Sequence, residues 1–211
     1  MQILFLESVD STQNYLKELV REGRIELPHA IVADMQTDGV GSRGNSWTGM
    51  GGNLFLSFAI PLKDLPSDLK LESSSIYFAF ILKETLSEFS SKVWLKWPND
   101  FYVDALKVGG MITTIVKESL ICGVGLNLLI APEGFGTLDI TILREELLKR
   151  YFENIEKNIS WKQVFSKYEL EFYKSKNFFT HANNLKISLS EATLQEDGSI
   201  ISNGKRIFSL R

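Results

Sequence analysis

Two hydrophobic periods alternate along the chain, one near two residues and one near 3.6, and their switches mark the elements. Ile3 to Leu6 is a short apolar run that predicts a strand. Asp10-Ser11-Thr12 follows with N-cap chemistry, and Tyr15, Leu16, Leu19 and Val20 recur at helical spacing as far as Gly23. Ala30 to Met35 predicts a second strand, and Leu54 to Ile60 a central one, apolar on both faces. Ser73-Ser74-Ser75 opens an apolar stretch, Ile76 to Phe89, long enough to be a buried helix. Val93, Leu95 and Trp97 alternate with Lys92, Trp94 and Lys96, as in a half-buried strand. Strands at hairpin spacing follow over Phe101 to Val103, Lys107 to Val116 and Leu120 to Leu129.

Two helical patterns come next. One gathers Leu143, Leu147, Leu148, Tyr151 and Ile155; the other gathers Trp161, Phe165, Tyr168 and Phe172 behind a Ser160 cap. Beyond them Leu185, Ile187 and Leu189 alternate, Asp197-Gly198 and Asn203-Gly204 are hairpin turns, and Ile207, Phe208 and Leu210 follow. The expectation is an α+β fold, a mixed and largely antiparallel sheet packed against helices. It divides into a catalytic domain over 1–176 and a short β remnant over 177–211.

Composition narrows the classes. Of 211 residues 44% are hydrophobic and 23% charged, the balance of a chain that buries a real core. The longest apolar run, Ile76 to Leu82, is far short of the ~20 residues of a membrane-spanning helix. Met1 leads into Gln2-Ile3-Leu4-Phe5 without a basic region and long apolar core, so no secretory signal is expected. One cysteine, Cys122, and two histidines disfavour a disulfide scaffold or a zinc ribbon. A cytoplasmic protein is expected. Residues 1 to 100 carry 9 basic and 13 acidic side chains and residues 101 to 211 carry 14 and 13, for a net charge of −3. Neither half supplies the basic surface that nucleic-acid binding rests on, so no nucleic-acid or membrane partner is expected.

Chemistry enters at the loop from Gly39 to Gly52, which holds six of the fifteen glycines. Gly39-Val40-Gly41-Ser42-Arg43-Gly44 matches the dinucleotide fingerprint letter for letter, but Gly49, Gly51 and Gly52 follow too closely for the helix that motif must open. A Walker A reading fails too, because Asn45 stands where the phosphate-binding lysine belongs. What remains is a long glycine-rich loop with a guanidinium, Arg43, and a flat face, Trp47. Backbone N–H groups in such a loop can approach an anion closely. A surface loop without a ligand is the alternative.

A second constellation strengthens the ligand reading. Lys96-Trp97-Pro98-Asn99-Asp100 ends a strand in a rigid corner that presents an amide and a carboxylate. Asn99 suits phosphate or ribose, and Asp100 could help hold magnesium through phosphates. Lys107 stands before the Gly109-Gly110 pair, and Gly123 and Gly125 clear one face of a strand up to Asn127. Glycines weaken a sheet core, so two cleared strands across one hairpin suggest a slot.

These segments, in this order, resemble the biotin protein ligases (biotin–[acetyl-CoA-carboxylase] ligases). The resemblance covers about residues 5 to 130, and Lys96 to Asp100 with Lys107 is its most specific part. It implies a class II synthetase-like catalytic fold without the family's N-terminal DNA-binding domain. It also implies two steps: biotin is activated by MgATP as biotinyl-5′-AMP, then transferred to a lysine of a biotin carboxyl carrier protein of acetyl-CoA carboxylase. Lys107 would be the catalytic cation, between the biotin carboxylate and the α-phosphate. Ser11, Thr12, Gln13, Gln36, Gly39, Val40, Gly41, Ser42, Lys107, Gly110, Gly123 and Gly125 would hold biotin. Arg43, Trp47, Asn99, Lys107 and Asn127 would hold the nucleotide. A homodimer is left open.

The chain also departs from the pattern. The family loop reads G-R-G-R-x-G-R-x-W; here Val40, Ser42 and Asn45 replace its three arginines, and Gln13 replaces an asparagine. Weaker ATP binding and faster loss of the adenylate are expected. Two other readings are a lipoate or octanoate ligase, which substrate competition separates, and a non-catalytic biotin or nucleotide binder, which ATP–pyrophosphate exchange separates.

Overall fold

The computed structural model describes residues 1–41, 46–47, 49–182 and 185–209. The predicted Leu210 lies outside them, as do Ser42, Arg43, Gly44 and Asn45 of the loop. Strand β1 (Gln2–Val9) leads to helix α1 (Thr12–Glu22) and strand β2 (His29–Gln36), which pairs in parallel with β1. The helix begins where expected, because the Ser11 side chain accepts the Asn14 N–H (3.3 Å) and caps it. It stops at Gly23, whose φ of 68° is a left-handed cap that glycine adopts without strain.

A short hairpin follows, β3 (Gly39–Val40) with β4 (Ser46–Trp47), then strand β5 (Leu54–Pro61) and helix α2 (Ser74–Glu88). Strands β6 (Trp94–Lys96), β7 (Asp100–Val103), β8 (Leu106–Val116) and β9 (Ser119–Leu126) form a meander. The seven-stranded sheet runs β1-β2-β5-β9-β8-β7-β6, and every pair except the first is antiparallel. The mixed, largely antiparallel α+β expectation holds.

Each central strand sorts its residues by face. From β5 and β9, Leu54, Leu56, Phe58, Leu120, Cys122, Val124 and Leu126 join the main core beneath α2, α3 (Arg144–Glu156) and α4 (Trp161–Glu171). Phe58 packs edge-on against Phe78, Tyr151 and Phe152 there, which ties the sheet to two helices. The opposite face carries a smaller cluster in which Leu16, Leu19 and Val20 of α1 cover Ile31, Ala59, Val116 and Ile121. Toward the start of α1 that face changes character, because the next same-face positions along the ladder from Ala59 and Ile121 are Ser57 in β5 and Gly123 and Gly125 in β9.

Two expectations need correction. The loop between Gly39 and Gly52 is not wholly irregular, since Gly39 pairs with Trp47 and Val40 with Ser46. Gly39 permits it: a Cβ there would lie 2.6 Å from the Trp47 carbonyl oxygen. The last strand of the meander ends at Leu126, not Leu129. The Asn53 carboxamide oxygen takes the N–H groups of Leu128 (3.0 Å) and Leu129 (3.2 Å) and turns the chain out of the ladder.

Beyond α4 lie β10 (Phe179–Ala182) with β11 (Leu185–Ser188), and a three-stranded sheet of β12 (Thr193–Leu194), β13 (Ile200–Ser202) and β14 (Lys205–Ile207). Leu189, Ala192 and Ile200 from this region are buried in the main core.

Candidate active site

The bare half of the α1 face is a cavity of about 340 Å³. That volume lies within the ~300–1,000 Å³ usual for small-molecule sites. Among the described residues, Ser11, Thr12, Gln13, Gln36, Val40, Gly41 and Trp47 line one side, and Asn99, Asp100, Lys107, Gly110, Gly123 and Gly125 the other. All thirteen come from the separate sequence segments predicted to carry a ligand, and the fold brings them together. Gly39 stands just behind the wall, where it carries the β3–β4 pairing. Ser46, Ser57, Met111, Ile112, Val124 and Phe135 also line the cavity and escaped the sequence reading. Ser57 had a signal, as the only polar residue inside the run Leu54 to Ile60. Phe135 had none.

Glycine makes the slot. A Cβ at Gly123 would lie 2.4 Å from the Gln13 amide oxygen, and one at Gly125 2.4 Å from Cε2 of the Trp47 indole. Trp47 thus rests on β9, and its Nε1 N–H is buried without a hydrogen-bond partner among the described residues. The polar floor starts at the N-terminus of α1, where Gln36 Oε1 accepts the Thr12 backbone N–H (2.8 Å) and its hydroxyl (3.0 Å). The partial positive charge of a helix N-terminus favours electron-rich ligand atoms there.

An ion triad closes the other end. Lys107 Nζ meets Asp100 Oδ1 at 2.6 Å, and Lys96 Nζ meets Oδ2 at 3.1 Å. Burial works against the Asp100 charge, but Lys107 and then Lys96 outweigh it and hold the carboxyl below the ordinary carboxylate range. Tyr102, beneath Lys96, is pushed up to about 12 by burial and then by the Asp100 charge. Two ammonium groups against one carboxylate leave this end of the cavity net positive.

Two expected roles do not survive the geometry. Asp100 does not fit as a magnesium ligand, because each of its oxygens already holds an ammonium group. Asn127 does not reach the cavity. Its side-chain N–H donates to the Gly136 carbonyl (3.0 Å) and its backbone N–H to Val108 (2.7 Å), so it fastens the chain after β9 to the base of β8. Asn99 does line the cavity, with its amide N–H committed to the Met111 carbonyl. The loop positions Ser42 and Arg43 lie outside the described residues.

Fold and cavity define an α+β protein with a small-molecule-sized cleft, positive at one end, between a glycine-bared sheet and a helix start. The model of the biotin/lipoate A/B protein ligase family matches residues 5–130, and the chain belongs to that family. It is similar to the biotin acetyl coenzyme A carboxylase synthetase of Helicobacter pylori, solved with bound biotinylated ATP. The identity is 38%, covering 98% of this chain and 99% of that one, with a TM-score of 0.94. The biotin protein ligase of Aquifex aeolicus, solved with biotin and ATP, is 26% identical over 100% of this chain and 96% of its own, with a TM-score of 0.78. The bifunctional ligase/repressor BirA of Escherichia coli is 30% identical over 133 residues, 60% of this chain. The chain spans 40% of that relative's length. Among the described residues, no helix is long and apolar enough to cross a membrane.

Proposed function

We propose that this chain activates biotin with ATP and transfers it to a lysine of a biotin carboxyl carrier protein. The observation that carries the proposal is Lys107, pinned by Asp100 at the junction between the glycine slot and the Asn99–Asp100 turn. In the first step a biotin carboxylate oxygen attacks the α-phosphorus of ATP, the bond to the β-phosphate oxygen breaks, and pyrophosphate leaves. In the second, the carrier's lysine amine attacks the acyl carbon, sheds a proton, and AMP departs.

The barrier to the first step is the meeting of two anions. Two unit charges ~4 Å apart repel by about 4 kcal/mol at an effective dielectric constant of 20. A cation fixed between them offsets much of that and stabilises charge gathering on the pentacoordinate phosphorus. Asp100 orients Lys107, since the ammonium is held against a carboxylate oxygen at 2.6 Å. Ser11, Thr12 and Gln36 hold the ring of biotin on the polar floor, and Trp47 covers the nucleotide from the hairpin, with water kept from the mixed anhydride. Magnesium enters as part of the nucleotide substrate. We propose a cytoplasmic location for this ATP-driven modification.

We further propose that residues 1–176 form the catalytic unit and 177–211 a β appendage, whose Leu189, Ala192 and Ile200 brace it against the core. The test is biotin-dependent ATP–pyrophosphate exchange, followed by mass-detected transfer to a carrier domain. Lys107→Ala should lower exchange about a thousandfold while the protein stays folded. Unchanged exchange would remove Lys107 from the mechanism.

A further inference from the structure

Residues 127–138 follow β9 outside any strand or helix, so their backbone groups need partners from elsewhere. At the start of this segment one side chain supplies them. Asn53 is fully buried, directly after Gly52 and directly before β5. Its Oδ1 accepts three successive N–H groups, from Leu128 (3.0 Å), Leu129 (3.2 Å) and Ile130 (3.4 Å), and its Nδ2 donates to the Ile130 carbonyl (2.8 Å). Successive N–H groups that converge on one point form a concavity favouring an electron-rich atom. The far end of the segment is tied to the strand of Lys107. There the Gly136 N–H donates to the Lys107 carbonyl (2.9 Å) and the Leu138 N–H to the Asn127 carbonyl (2.9 Å). Between the two anchorages stands Phe135, 42% exposed and lining the cavity.

We infer that Asn53 is a positioning residue for the nucleotide step, acting through residues 128–130 to seat Phe135 at the Lys107 end of the cavity. The inference rests on the ATP-dependent reading above and adds to it a residue outside the cavity lining. Phe135 is one residue from the N–H that the Lys107 carbonyl accepts, so a shift of the segment moves an apolar wall relative to the reacting ammonium. A misplacement of about 1 Å in a reacting site costs up to about a hundredfold. The polar floor at Thr12 and Gln36 is held by hydrogen bonds of its own. Loss of the Asn53 amide should therefore separate nucleotide handling from biotin handling.

The test measures biotin-dependent ATP–pyrophosphate exchange in wild type, Asn53→Leu, Asn53→Asp, Phe135→Ala and the double variant Asn53→Leu with Phe135→Ala. Wild-type exchange tests the ATP-dependent reading itself, and its absence would sink that reading whatever the variants do. Given that activity, Asn53→Leu, close in volume but without donor or acceptor, should raise the KM for ATP about tenfold or more. The KM for biotin should stay within about threefold of wild type. Asn53→Asp keeps an acceptor for the three N–H groups and should recover most of the loss. Phe135→Ala should raise the KM for ATP by a similar factor, and the double variant should exceed the worse single one by no more than about threefold, because both act at one place. Equal rises in both KM values for Asn53→Leu would reduce the residue to general structure and overturn the inference. So would an ATP KM within about threefold of wild type, an aspartate variant no better than the leucine one, or a double variant whose factors multiply in full. Thermal melts show whether each variant is folded. If Asn53→Leu is not, Phe135→Ala decides alone, and an ATP KM there within about threefold of wild type overturns the inference.

Discussion

Glycine serves the sheet beneath the cavity and the turn that leads into β5 in opposite ways. On β8 and β9 the glycines are locked in a ladder with neighbours on both sides, and they act by lacking a side chain: Gly123 and Gly125 leave space that Gln13 and Trp47 occupy. In the turn before β5, away from the cavity lining, a Cβ at Gly51 would meet nothing within 4 Å and Gly52 holds a φ of 88°. There glycine acts through backbone freedom. The sheet therefore defines a fixed shape. Recognition and catalytic charge should reside there, and ligand retention in the loop that carries Trp47.

The largest effect should come from breaking the charge held by the fixed wall. Asp100→Asn leaves two facing ammonium groups without their shared anion and should cost roughly 3 kcal/mol in denaturant unfolding. The pH dependence follows from the lowered Asp100 pKa. Its contribution is complete above the unfolded value of about 4 and fades as pH falls through the lower folded value. The gap between wild type and variant should thus be constant from neutral pH to about pH 5 and close below about pH 4. A gap that widens on acidification would refute the ion-triad account. Next, Gly125→Ala should expel the Trp47 indole and lower kcat/KM for biotin about a hundredfold with little loss of melting temperature. Equal effects on biotin and on overall stability would mean that the position is ordinary core.

Smaller changes belong to the loop. With Val40, Ser42 and Asn45 in place of three cations, the adenylate should leave the enzyme roughly tenfold sooner than from a relative that carries those arginines, since each lost charge contact weakens phosphate binding. A rapid-dilution measurement of adenylate lifetime decides this, and equal lifetimes would sink it. Gly51→Ala should be smallest of all, within about 0.5 kcal/mol in stability, because its Cβ points into open space. A large effect there would erase the contrast between the sheet glycines and those of the turn.

Much of this was legible along the chain. Leu16, Leu19 and Val20 announce α1, and the double-faced run from Leu54 announces a central strand, because local periodicity reports burial directly. The motif residues reached the cavity because short segments bound to strand ends are carried there by the sheet. The misses share one cause: polar side-chain partners, near or far in sequence, that hydrophobic periodicity does not report. Asn53 ends β9 from more than seventy residues away, Gly136 claims Asn127, and two lysines consume the oxygens of Asp100. The β3–β4 pairing was hidden for another reason, since glycine-rich strands have no side-chain alternation to read.

The corner that carries Asn99 and Asp100 is held from outside the sheet. Trp97 is fully enclosed, gives its backbone N–H to Ser175 Oγ (3.0 Å) and sends its indole N–H to the Gly198 carbonyl (2.8 Å). The segment after α4 is thus a strut beneath the catalytic corner. Cutting the chain after residue 176 would remove the Gly198 end of that strut, and the corner would slacken while most of the strand pairing behind it stayed intact. Loss of nucleotide handling would then precede any visible unfolding.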